Sequence, residues 1–126
     1  MKAATRDWIA KAEGGFLAAM VLARRRKVPL HDQVCFHCQQ CVEKYLKARL
    51  EEAGIPHPKT HDLERLLMLI LPVEPLWASL RPALKSLSDF AVEFRYPGNA
   101  AIAADARKAV KDAKVIRKEA RLALGL

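Results

Sequence analysis

Apolar residues recur at three- and four-residue steps in five separate stretches of this sequence, and proline or glycine stands between each stretch and the next. That period places the apolar side chains on one face of a helix, so five helices are expected and strands are not. Composition agrees. Hydrophobic residues make up 52% of the chain but aromatics only 6%, so Leu and Ala must fill the interior. Both are strong helix formers.

The first stretch runs from Thr5, read as a cap, through Trp8, Ile9, Ala12, Phe16, Ala19, Met20 and Ala23. It ends in the basic run Arg24 to Lys27, which suits the negative end of a helix dipole, and Pro29 discourages continuation. A second helix is expected from His31 to Ala53, with Val34, Cys38, Cys41, Tyr45, Leu46 and Leu50 inward, a charged outer face, and Gly54 as its stop. Thr60 is read as the cap of a third helix carrying Leu63, Leu66, Leu67 and Ile70. A fourth begins near Pro75 or Ser79 and carries Leu84, Leu87, Ala91 and Phe94 until Pro97 and Gly98 break the pattern. Asn99 is read as the cap of a fifth, with Ile102, Ala106, Ala109, Val110, Ala113 and Ile116 inward. Short connections favour antiparallel sequential neighbours. The length of 126 residues suits one domain spanning the chain.

The net charge of +8 favours phosphate-rich or acidic partners without naming one. No apolar run is long enough to span a membrane, and the first residues lack the pattern of a secretory signal, so a cytoplasmic protein with no membrane partner is expected. Cys35, Cys38 and Cys41 have a spacing that in a loop would suggest zinc or an iron–sulfur cluster. On a helix the outer two sulfurs lie roughly 9 Å apart along the axis, too far for one ion. They read as reduced core thiols, and neither metal nor cofactor is expected.

Two places could hold a ligand. Arg95 and Tyr96 form a basic, aromatic corner at a helix exit, where a guanidinium and a ring suit phosphate and a base. His61 stands at a helix start, where a phosphate contact is the functional alternative to a structural histidine, while Asp62 suits the helix dipole. No Walker loop, GxSxG, HExxH or dinucleotide-binding glycine turn occurs.

The stretch from Phe36 to Ala48, with its Gln39–Gln40 and Glu43–Lys44 pairs, resembles the second-helix signature of the HEPN family. Trp8 with Ala12, the Lys59 to Leu63 segment, and Arg95–Tyr96–Pro97 match further pieces in the same order. The resemblance implies an antiparallel up-and-down four-helix bundle with a short additional helix, forming homodimers. It also implies a toxin–antitoxin-like pairing with a minimal nucleotidyltransferase. Active relatives are metal-independent ribonucleases that use an arginine and, after four to six intervening residues, a histidine, and in some the partner adds adenylate to a nearby tyrosine. Here Ala100, Ala101 and Ile102 occupy the positions after Arg95 where that histidine would fall. Arg26 and His31 satisfy the spacing, but far from the family motif. The leading reading is therefore a nucleotide- or RNA-binding HEPN module with ligand contacts from Arg95, Tyr96 and His61. The alternative is a ribonuclease toxin using Arg95 with a histidine such as His61.

Overall fold

A computed structural model describes residues 1–126 and contains helices and no strands. The helices are α1 (Ala3–Ala23), α2 (His31–Glu52), α3 (Leu63–Ile70), α4 (Arg81–Glu93) and α5 (Ala103–Ala123). A 3-10 turn, Pro75–Leu80, leads directly into α4, so the two candidate starts of the fourth stretch belong to the turn and Pro82 occupies the first turn of the helix proper.

Helix α2 is the centre of the molecule: α1, α3, α4 and α5 all pack against it. Contacts give the directions. Lys2 and Thr5 meet Glu52, and Glu13 meets Tyr45, so α1 and α2 are antiparallel. Ala101 meets Asp32 and Arg121 meets Tyr45, so α5 runs parallel to α2 and antiparallel to α1. The connection after α2 departs from the expectation of antiparallel neighbours. It travels back along α2 until His61 reaches Glu43, and α3 then descends beside α2 in the same direction, with Glu74 meeting Arg49 beyond its end.

The core is the set of stripes read from the sequence: Val34, Cys38, Cys41, Tyr45, Leu46 and Leu50 of α2, Leu63, Leu66, Leu67 and Ile70 of α3, Leu84 and Leu87 of α4, and Ala106, Ala109, Ala113 and Ile116 of α5. Ala23 and Ile102, expected inward, are exposed because they fall at the ends of their helices. The charged outer face expected of α2 is also corrected. Glu43 is fully buried and Lys47 nearly so, because α2 is covered on several sides.

Helix ends follow local chemistry, though not always at the residue expected. Gly54 takes a φ of +70°, its N–H donates to Glu51 O, and Ile55 N donates to Leu50 O, closing α2 with a glycine that tolerates the left-handed region. Thr5 is buried inside α1 and donates to Glu52 Oε1 at 2.9 Å, so it ties two helices together and caps neither. The cap of α3 is Asp62, whose Oδ1 accepts from Glu64 N and Arg65 N, while Thr60 Oγ1 accepts from Asp62 N one step earlier. Asn99 likewise yields to a later start: α5 begins after Ile102, whose N–H donates to Asp105 Oδ2.

Candidate functional site

The corner after α4 is built by a tight turn. Asn99 N donates to Tyr96 O across Pro97 and Gly98, and Gly98 has a φ of +91°. Proline followed by a glycine with positive φ is the sequence of a type II turn. The turn holds both Arg95 and Tyr96 in solvent, with Tyr96 64% exposed. No acidic side chain pairs with the Arg95 guanidinium. Arg95 edges a shallow pocket of about 190 Å³ between α2 and α4, shared with Asp32, Phe36, Phe90 and Phe94. Asp32 is already engaged there, accepting from Ala101 N at 2.6 Å.

His61 belongs to a second cluster. Its Nδ1 lies 2.7 Å from Oε1 of Glu43. Burial alone would raise the Glu43 pKa, but hydrogen bonds from Lys44, His61 and Lys47 more than reverse this, and the carboxyl sits below its ordinary value. Glu43 is therefore ionised at neutral pH, Nδ1 must carry the donated proton, and in the neutral imidazole Nε2 keeps a lone pair. The His61 side chain is 70% exposed, so that nitrogen faces solvent. Gln39 Nε2 holds the backbone beneath it by donating to His61 O at 3.1 Å. Lys44 Nζ and Lys47 Nζ reach Glu43 Oε2 at 2.6 and 3.1 Å and also lie 5.7 and 5.4 Å from the Trp8 ring centre. Trp8 is thus the apolar wall of an ionic cluster.

The two candidate places are separate. His61 meets α2 at Glu43, whereas Arg95 meets it at Asp32 to Phe36, about 10 to 16 Å earlier along the helix axis. No hydrogen bond joins them. The three cysteines are all fully buried in α2, and burial pushes each thiol up to about 12. No group of three or more metal-ligating side chains converges in the molecule.

One polar network was not legible in the sequence. Arg117 grips Glu13 with two bonds of 2.8 and 2.6 Å, Tyr45 donates to Glu13 Oε2 at 2.7 Å, and Arg121 donates to Tyr45 Oη at 3.1 Å. It joins α1, α2 and α5, and the hydrogen bond from Arg117 is the largest reason the Glu13 carboxyl is held below its ordinary range. Three of its members, Glu13, Arg117 and Arg121, look like ordinary charged helix positions and the fourth, Tyr45, like a core residue, and only the fold brings them together.

The HEPN domain family matches residues 5–122, nearly the whole chain. This chain belongs to the HEPN family. No curated protein and no solved structure is significantly similar to it. In this HEPN domain Ala101 is buried and its N–H is bonded to Asp32, and Ile102 precedes the first turn of α5. No helix of the domain is long and apolar enough to cross a membrane.

Proposed function

We propose that this HEPN chain, a single domain organised as an up-and-down four-helix bundle with α3 as the short addition, binds RNA or a nucleotide at the Arg95–Tyr96 corner. On this reading it works in the cytoplasm as a homodimer beside a minimal nucleotidyltransferase, in a toxin–antitoxin-like pair, and lacks the usual ribonuclease histidine. The observation that carries the reading is an exposed, unpaired guanidinium next to an exposed ring on a fixed turn. Arg offers a planar fork to phosphate, and Tyr offers a stacking face or a hydroxyl for adenylation. His61 adds a further contact for a ligand long enough to reach it.

The test is titration of wild type and Arg95→Ala with labelled RNA and with ATP. A loss of about 1 to 3 kcal/mol is expected with the fold intact, since a charge-assisted contact is worth about that. Binding should also weaken as salt rises. Equal binding by both proteins would reject the corner as the site.

A second reading, metal-independent ribonuclease activity through Arg95 and His61, draws support from the Glu43–His61 pair, because a carboxylate on Nδ1 orients an imidazole as a base. It requires RNA cleavage in chelator that both Arg95→Ala and His61→Ala abolish. Intact RNA after prolonged incubation with wild type would dispose of it.

A further inference from the structure

A concavity of about 740 Å³ lies away from the Arg95 corner, between the end of α1, the loop leading into α2, and the first half of α5. That is within the ~300–1,000 Å³ usual for small-molecule sites. Its rim is cationic. Arg107, Lys111 and Lys114 stand at i, i+4 and i+7 on one face of α5, Arg25 faces them from beyond α1, and no acidic residue lines the groove. None of these four side chains has an acidic partner. The contrast within α5 is instructive: Lys108, which does not line the groove, is paired with Asp112 at 2.8 Å. Like charges one turn apart repel on a helix, so leaving the groove-side cations unneutralised costs stability that a bound anion would return.

The floor identifies the rest of the ligand. It is made of aliphatic side chains, among them Leu22, Leu30, Val110 and Val115; the one aromatic ring on its lining is the His31 imidazole at the start of α2, and no Phe, Tyr, Trp, amide or hydroxyl side chain lines it. A nucleobase would find one small imidazole, His31, and otherwise neither an aromatic ring to stack on nor an amide or hydroxyl to read its edge. An aliphatic body would find continuous apolar surface beneath a ring of positive charge. We infer that this groove binds a small amphipathic anion, an aliphatic chain carrying a phosphate or diphosphate head, with the head on Arg25, Arg107, Lys111 and Lys114 and the chain along the floor. The site is distinct from the proposed corner and does not depend on that reading.

The experiment is calorimetric titration of the full-length protein with geranyl diphosphate and with decyl phosphate, against inorganic pyrophosphate, geraniol and ADP as separate probes. Geranyl diphosphate, decyl phosphate or both should bind at least tenfold more tightly than pyrophosphate, geraniol or ADP, and which of the two is preferred identifies the head group. Lys111→Glu/Lys114→Glu should weaken that binding at least tenfold, and Val115→Asn, at an exposed position, should weaken the aliphatic probes while leaving pyrophosphate unchanged. Circular dichroism of each variant verifies folding. Pyrophosphate binding as tightly as the better of the two aliphatic probes would show charge attraction alone and overturn the inference. So would ADP binding as tightly as the aliphatic probes, undiminished binding by folded Lys111→Glu/Lys114→Glu, or no binding of either aliphatic probe.

Discussion

Glu43 shows how little of a residue's role its own identity carries. In the sequence it is one acid in a charged-looking helix, yet it is fully buried and holds Lys44, Lys47 and His61 around it. The resemblance marks the Phe36 to Ala48 segment, but only the return of the loop to α2 explains why a carboxylate belongs there. His61 stands out in the sequence as a candidate ligand contact, while its partner Glu43 is invisible there, because residues 18 apart on different elements meet only through the fold. The energetic sign follows from the shift. The folded pKa of Glu43 lies below the ordinary 4.5, so its stabilising contribution is fully present above the unfolded value and is lost as pH falls through the folded one. Glu43→Gln should cost about 2 kcal/mol at neutral pH by weakening the bonds to both lysines. The thermal midpoint of the variant should fall less steeply than that of wild type below about pH 4.5. Parallel pH profiles for the two proteins would contradict this role.

Among the elements, the interiors of all five helices were legible and their ends much less so. Leu and Ala stripes are set by burial, which the 3.6-residue period reports directly. Caps depend on which nearby oxygen wins, and Thr5 was drawn off by Glu52, a residue from another helix. The reversal at α3 was hidden too, since a loop's length does not give its path. The α1–α2 seam has its own requirement at Gly15, where an added Cβ would meet Cys41 N, Cys41 Cα and His37 O at 3.4 to 3.5 Å. That is ordinary contact, so Ala fits and nothing longer does. Gly14 is exposed and a Cβ there meets nothing within 4 Å. We expect Gly14→Ala to stabilise by about 1 kcal/mol, the usual helix gain over glycine. Gly15→Leu should destabilise by about 1 to 3 kcal/mol through overpacking. Urea midpoints of the two variants moving in opposite directions would bear this out; a gain from Gly15→Leu would mean the seam is looser than described.

For the molecule as a whole, the outer surface retains apolar side chains that no other element covers. Leu76, 86% exposed, shares a groove of about 640 Å³ with Val115 and Leu122, beside the 3-10 turn. The homodimer proposed above would cover this groove, and aliphatic residues left in water are a reason for association. Light scattering should give twice 14.1 kDa for wild type and 14.1 kDa for Leu76→Glu/Leu122→Glu. A wild-type mass that stays at the monomer value across micromolar concentrations would exclude the dimer. The sequence disclosed the surplus of apolar stripes but not which of them stays uncovered, because that depends on how the other helices surround α2. The position of α2 has one more consequence. With neighbours on so many sides and residues 41–43 and 45–48 buried in succession, its amides can reach heavy water only when the whole molecule opens. Their deuterium uptake is then set by global stability, which any ligand selective for the folded state raises by mass action. A ligand on either groove, the Arg95 corner or a second copy of the chain should slow exchange in α2, so residues 41–48 report occupancy of sites that they do not themselves line.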